Sequence, residues 1–94
     1  MAEWRCMSKR IIHCQCWEWY GSEDFTEGRY KAKGGQEFVY EVTPESEALS
    51  EEELIDNFNS KFNLHGQHYR YEAMGIDYYW EPLNLKFENG TFTE

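Results

Sequence analysis

Lys9-Arg10-Ile11-Ile12-His13-Cys14-Gln15-Cys16-Trp17-Glu18-Trp19-Tyr20 is the stretch that decides the fold. When it is sorted with the two-residue period of a β-strand, one face holds Ile12, Cys14 and Cys16. The other face holds Ile11, His13, Gln15, Trp17 and Trp19. Both faces carry apolar groups, so the stretch predicts a central strand that is covered, at least in part, on both sides.

The residues that follow this strand predict a loop and then a second pair of strands. Residues 21–28 combine two glycines with Ser, Asp and Thr, which is the composition of a loop. Gly34-Gly35 supplies the positive φ angles of a tight turn. Phe38, Tyr40 and Val42 then alternate with Glu37 and Glu41. Residues 29–42 are therefore interpreted as a β-hairpin that turns at the two glycines.

One helix is predicted over about residues 51–62. Ser50 is suited to cap it, and Glu53, three residues later, completes a capping box. An apolar stripe recurs at helical spacing and consists of Leu54, Ile55, Phe58 and Phe62. The residues expected to face away from the core are Glu51, Glu52, Asp56 and Asn59.

The C-terminal third predicts further strands. Residues 68–80 are typical of a strand with a break or bulge at Gly75, and Leu83, Leu85 and Phe87 alternate. Asn89-Gly90 is a strong signal for a two-residue hairpin turn. The expected fold class is α+β, in a single domain over residues 1–94: an antiparallel sheet of about five to six strands with one helix packed on one face.

The charge of the chain is divided between its two parts. Residues 1–36 carry six Lys or Arg and five Asp or Glu, whereas residues 37–94 carry three and thirteen. Residues 37–56 hold eight carboxylates and no Lys or Arg. Such a field repels nucleic acid and attracts a basic protein surface. The net charge of −9 therefore argues against direct nucleic-acid binding.

The chain shows no pattern of a membrane or secretory segment. No stretch approaches the roughly 20 apolar residues of a membrane span, and the first residues lack the basic-then-apolar order of a signal peptide. We therefore expect a cytosolic protein with free thiols and no membrane partner.

Cys14-x-Cys16, with Cys6, His13, His65 and His68, is the sharpest local pattern for metal or nucleophile chemistry. The spacing lacks the paired C-x(2–4)-C turns of structural zinc sites. On a strand, His13 points away from Cys14, so it cannot act as its base. Buried thiols are the favoured interpretation. No metal, no cofactor and no catalytic residue are expected.

Arg29, Lys31, Lys33, Gly34 and Gly35 form a second candidate site. Turn amides and ammonium groups there are able to cradle a phosphate, with aromatic rings stacking on a base. The segment lacks the strand-to-helix context of a P-loop, and a hairpin turn with solvated lysines is the favoured interpretation.

A resemblance adds a class of protein to this interpretation. The motif Cys16-Trp17-Glu18-Trp19-Tyr20-Gly21, followed by 29–39 with Lys31-Ala32-Lys33-Gly34-Gly35, resembles a pattern in short tailed-phage proteins of unassigned role. Here an additional Trp19 precedes Tyr20. The resemblance covers residues 13–42 and implies a viral accessory protein, for which a cytosolic location means the host cytoplasm. By size and charge the chain is similar to inhibitors of host defence nucleases, including anti-CRISPR proteins and DNA mimics.

The leading hypothesis is a non-enzymatic inhibitor that binds a basic, nucleic-acid-binding host defence protein as a monomer or homodimer. Its acidic, aromatic-flanked face is expected to contain Glu45, Glu47, Glu51, Glu52, Asp56, Tyr30 and Tyr69, with Tyr71, Tyr78 and Tyr79 as further aromatic candidates. Charge sets the encounter rate, and aromatics supply affinity. The alternatives are a small nucleotide-binding sponge or sensor that uses Arg29, Lys31 and Lys33, and an oligomeric scaffold.

Overall fold

The sheet is built around the first strand. The computed structural model describes residues 9–78 and 84–93, and its elements in chain order are β1 (Lys9–Gly21), β2 (Gly28–Glu41), α1 (Pro44–Glu47), α2 (Glu51–Phe62), β3 (Tyr69–Tyr78), β4 (Lys86–Glu88) and β5 (Thr91–Thr93). Three antiparallel strands form one sheet in the order β2-β1-β3, and β4 and β5 form a separate pair. The architecture is α+β as predicted, but the described sheet has fewer strands than expected.

The central position predicted for β1 is confirmed. β1 pairs with β2 along one edge and with β3 along the other. On one face, Ile12, Cys14 and Cys16 are all buried. The other face has two buried ends, Ile11 and Trp19, with His13, Gln15 and Trp17 partly exposed between them.

The hairpin predicted over residues 29–42 is wrong. Residues 28–41 form one continuous strand, β2, and the turn lies earlier, in the loop of residues 22–27. Gly34 and Gly35 are strand residues opposite Cys16 and Gln15. The register shifts there, so that Lys33 is an extra residue in β2, and Gly34 adopts a φ of +138° next to it. Two glycines in sequence thus mark a bulge rather than a turn.

The predicted helix is confirmed with its bounds. α2 begins after Ser50, whose hydroxyl accepts from the Glu53 amide, while the Glu53 carboxylate accepts from the Ser50 amide. Leu54 and Phe58 are buried against the sheet. The core around them consists of Ile12, Cys14, Tyr40, Ala73, Ile76, Leu85, Phe87 and Phe92. We call the sheet face that α2 covers the helix-bearing face.

Asn59 does not face away from the core as predicted. Its side chain is partly buried, and its Oδ1 accepts from the backbone amide of Ala73 at 2.7 Å. β3 has an extra residue, Met74, between the two residues that face Cys14 and His13, which matches the bulge expected near Gly75. Asn59 thus satisfies a backbone group beside a position where the strand ladder is irregular.

Two short elements complete the described fold. α1, a single turn that was not predicted, is capped by Thr43 and begins at Pro44, the residue type favoured at the first helical position. The hairpin predicted at Asn89-Gly90 is confirmed as the β4–β5 turn, where both residues have positive φ. Residues 79–80 of the predicted third strand, and Leu83, lie outside the described residues.

A second cluster of rings stiffens the end of the β1–β2 hairpin. The Trp19 ring contacts Phe25, Tyr30 and His65 with centroid separations of 5.1, 5.1 and 5.7 Å. Its Nε1 donates to the Ser22 carbonyl at 2.8 Å. Trp19 also leaves no room beside it: a Cβ placed on Gly28 would lie 2.8 Å from the indole and 2.4 Å from the Tyr20 carbonyl oxygen.

Gly28→Ala should therefore destabilise the protein by about 3 kcal/mol, because a clash and an unfavourable φ of +142° combine. The matched control is Gly75→Ala, where a Cβ meets nothing within 4 Å and φ is not positive. We expect the control to change stability by less than about 1 kcal/mol. Urea denaturation measures both variants, and equal midpoints would contradict the role assigned to Trp19.

Candidate partner-binding surface

The acidic stretch of residues 37–56 covers the end of β2, the short helix α1 and the first turns of α2. Carboxylates in the first turn of a helix interact favourably with the helix dipole, so part of the acidity has a local structural role. Glu53 in particular is used by the capping box. The five acidic residues predicted to bind a partner all have exposed side chains: Glu45, Glu47, Glu51, Glu52 and Asp56.

Few cations neutralise these five groups. Among the described residues, the ion pair that involves one of them joins Arg10 Nη2 to Glu51 Oε1 at 3.7 Å. Half-exposed pairs of this length contribute little to stability. Glu45, Glu47, Glu52 and Asp56 have no ion pair within the part of the chain that the structure describes. The negative potential of the segment therefore reaches the solvent.

The β4–β5 turn contacts α2 and lies close to Glu45 of α1, which brings Glu45 near Asp56. The Asn57 side-chain amide of α2 donates to the Gly90 carbonyl. The Glu45 carboxylate lies 3.9 Å from the position of a Cβ on Gly90. Asp56 lies beside Asn57 along the same groove, which Gly90 and Thr91 also line. We call Glu45, Glu47, Glu51, Glu52 and Asp56 the acidic surface.

Tyr30 and Tyr69 lie at the opposite end of β1 from the Arg10–Glu51 pair, and Tyr69 shares a depression with Lys61 near the end of α2. Arg10, which contacts Glu51, lies at the start of β1, whereas Tyr69 is opposite Glu18 and Tyr30 is opposite Trp19. From Arg10 to Glu18 the strand rises by roughly 26 Å at about 3.3 Å per residue. Tyr30 is also half-buried, with its hydroxyl donating to the Gln67 carbonyl and accepting from the Gly66 amide.

Tyr78 is an exposed aromatic residue that lies beside the acidic surface. Its side chain is 73% exposed, and the Arg10 guanidinium lies 4.9 Å from its ring centroid. Arg10 joins it to Glu51, and Glu47 lines the same depression as Tyr78. Tyr78 is one of several tyrosines predicted as binding candidates. The sequence does not distinguish it from the others, because the distinction depends on which residue faces Arg10 across the sheet. Tyr71 is half-buried against Phe38, and Tyr79 lies outside the described residues.

The second candidate site has a different geometry from the predicted phosphate cradle. Since Gly34 and Gly35 belong to a strand, they form no turn of free amides. Lys31 lies over the Tyr20 ring and Lys33 over the Tyr69 ring, at 5.0 and 5.4 Å from the centroids. Arg29 is exposed at the start of the same strand. The faces of the two rings therefore carry ammonium groups where a base would stack.

We call Lys31, Lys33, Tyr20 and Tyr69 the lysine–tyrosine cluster. Glu18 lies in its middle. Its carboxylate accepts from the Tyr20 hydroxyl at 3.0 Å, and His68 Nε2 and Lys33 Nζ lie within 3.5 Å. The Tyr20 hydrogen bond, followed by those from His68 and the charge of Lys33, holds the pKa of Glu18 below its usual range. The carboxylate thus stays negative in a position where it would repel a phosphate.

The cysteines and histidines are dispersed rather than gathered. Cys14 and Cys16 are buried on the helix-bearing face, and His13 is on the opposite face, between Glu37 at 3.4 Å and Asp77 at 3.1 Å. His65 packs in the Trp19 ring cluster. Over residues 9–78 and 84–93, no group of three His, Cys, Asp or Glu is arranged to hold a metal ion. Cys6 lies outside the described residues.

The two buried thiols should be unreactive in the folded protein. Burial, and secondarily the neighbouring Cys16, raises the pKa of Cys14 to about 12. Burial also raises the pKa of Cys16. Since the thiolate is the nucleophile, iodoacetamide at pH 8 should leave both unmodified until denaturant is added. Mass spectrometry of the tryptic peptide 11–29 measures the labelling of Cys14 and Cys16 separately from that of Cys6. Fast labelling of this peptide in the native protein would contradict the prediction.

The helices over residues 44–47 and 51–62 are too short and polar to cross a membrane. The chain matches no protein-family model, no curated protein and no solved structure. The acidic surface with Tyr78 beside it and the lysine–tyrosine cluster are the two candidate binding regions of the described residues.

Proposed function

We propose that the chain is a non-enzymatic inhibitor that binds a basic, nucleic-acid-binding host protein through the acidic surface. The partner is a host defence effector, and the acidic surface mimics the phosphates that the effector would otherwise bind, as anti-CRISPR proteins do. The protein acts in the host cytoplasm as a monomer or homodimer, and needs no cofactor. This proposal retains the phage origin suggested by the motif of residues 16–21 and 29–39.

The observation that carries the proposal is the exposed and largely unneutralised charge of the acidic surface. Its five carboxylates belong to one stretch of the chain, and four of them have no ion pair among the described residues. Solubility alone needs only a modest net charge spread over the surface. Concentrated charge of one sign accelerates encounter with a surface of the opposite sign.

Affinity in this proposal comes from Tyr78. Binding energy at interfaces is concentrated in a few aromatic and arginine residues that lie beside well-packed pockets. Tyr78 combines high exposure with a ring held by Arg10 and with Glu47 beside it. Tyr30 and Tyr69, at the far end of β1, lie outside this contact.

Reversal of three charges tests the acidic surface. The variant Glu45→Lys, Glu52→Lys, Asp56→Lys leaves the capping residue Glu53 and the Arg10–Glu51 pair intact. The wild-type chain, immobilised and exposed to nuclease-treated bacterial lysate, should capture nucleic-acid-binding proteins at low salt. Added DNA should compete with the chain for these proteins. The variant should capture at least about tenfold less of these proteins, because its local electrostatic field is reversed.

The matched control reverses three exposed acids elsewhere: Glu23→Lys, Glu27→Lys, Glu72→Lys. It has the same net charge as the test variant, so it separates a local surface from total charge. Equal loss of capture in both variants, or capture that DNA does not compete with, would overturn the proposal. Circular dichroism of both variants checks that the fold is retained.

The nucleotide-binding alternative has less support, because the turn that it required is part of a strand and its lysines lie over tyrosine rings. A rise in melting temperature with added nucleotide would favour it. The scaffold alternative stays a prediction, and a defined oligomer in light scattering would favour it.

A further inference from the structure

Three residues stand side by side across the sheet at the end nearest the acidic surface. Arg10 of β1 is paired with Tyr40 of β2 on one side and with Tyr78 of β3 on the other. All three share the helix-bearing face, because directly opposed residues project to the same side of a sheet. They line a cavity of about 350 Å³ together with Val42, Ser46, Glu47 and Leu49. This size is at the lower end of the range of ligand pockets, about 300–1,000 Å³.

Two hydrogen-bond donors in this cavity wall lack an acceptor. Tyr40 is fully buried, and neither its hydroxyl nor Arg10 Nε has a hydrogen-bond partner among the described residues. Burial raises the pKa of Tyr40, and the positive charge and the hydrogen-bonding groups of the nearby Arg10 side chain oppose that rise. Leaving a buried donor without a partner is unfavourable, so an acceptor that reaches both groups would be bound with a gain in free energy.

The rim of the cavity carries negative charge, in contrast to the hydrogen-bond donors of its wall. Glu47 lines it, and Glu51 approaches Arg10 Nη2 at 3.7 Å. Glu47 has no ion pair within the described part of the chain. The exposed Tyr78 ring and the side chains of Val42 and Leu49 supply apolar surface. A simple anion would be repelled by the two carboxylates, and a simple cation would leave the Arg10 and Tyr40 donors unpaired.

We propose that this cavity binds a zwitterionic α-amino acid. Its carboxylate accepts hydrogen bonds from Arg10 Nε and the Tyr40 hydroxyl, its ammonium group faces Glu47, and its side chain lies against Tyr78 and Leu49. A charged carboxylate makes stronger hydrogen bonds with these donors than water does. The site shares Glu47 and Tyr78 with the surface proposed to bind a partner, whereas the buried hydroxyl of Tyr40 belongs to this cavity alone.

Three small molecules test the proposal on the full chain. Phenylalanine carries both charged groups, 3-phenylpropionate lacks the ammonium group, and phenethylamine lacks the carboxylate. Titration calorimetry should show binding of phenylalanine at least about tenfold tighter than of either analogue, because each analogue leaves one set of groups unpaired. Phenylalanine should also raise the melting temperature. No binding of phenylalanine, or equal binding of either analogue, would overturn the proposal.

Tyr40→Phe removes one donor and keeps the ring, whose centroid lies 5.1 Å from that of Phe92. The variant should be as stable as the wild type, because the hydroxyl that it loses is buried without a hydrogen-bond partner. It should bind phenylalanine about tenfold more weakly, because one donor to the carboxylate is missing. The matched control is Tyr69→Phe, at the other end of the same sheet face. Unchanged affinity in Tyr40→Phe, or an equal loss in the control, would overturn the assignment of the donors.

Charge reversal at Glu45, Glu52 and Asp56 separates this site from the acidic surface. That variant should retain its affinity for phenylalanine while losing capture of basic proteins. Conversely, Tyr40→Phe should retain capture. Failure of one proposal is thereby distinguished from failure of the other.

Discussion

The pairing of β1 along both of its edges positions the other described elements of the molecule. A strand with a neighbour on each side has its backbone amides and carbonyls satisfied over most of its length, and its side chains must then match two partners at once. Each ladder contains one extra residue, Lys33 in β2 and Met74 in β3. These two bulges decide which side chains meet across the sheet, and therefore the composition of each end of the molecule.

The two ends of β1 are stabilised by different means. Near Arg10 and Ile12, α2 and the β4–β5 pair cover the helix-bearing face and form the aromatic core around Phe58 and Phe92. At the other end Trp19 gathers rings from two loops into a second cluster, which depends on the absence of side chains at Gly21 and Gly28. A hairpin that extends beyond the main core is thus held by its own small core.

Carboxylates in this chain serve both local structure and long-range potential. Glu53 completes a cap, and its neighbours in the first turn of α2 favour the helix dipole. The same placement exposes them at the end of the sheet where Arg10, Tyr40 and Tyr78 form a row. Both proposals use the acidic groups around the partly buried Arg10 and the fully buried Tyr40: the first uses their charge, and the second uses Glu47 together with the two donors.

The sequence by itself determined the elements whose causes lie within a few residues. The cap of α2 joins Ser50 to Glu53, and the Asn89-Gly90 turn needs only the φ preferences of two residues, so both were predicted with their positions. The alternation of β1 likewise predicted its central place. Only the tertiary structure decided the use of Gly34-Gly35, the separation of Tyr30 and Tyr69 from the Arg10–Glu51 pair, and the meeting of Arg10 with Tyr40 and Tyr78. The physical reason is strand register: one inserted residue changes every pairing beyond it, and its position depends on contacts between segments far apart in the chain.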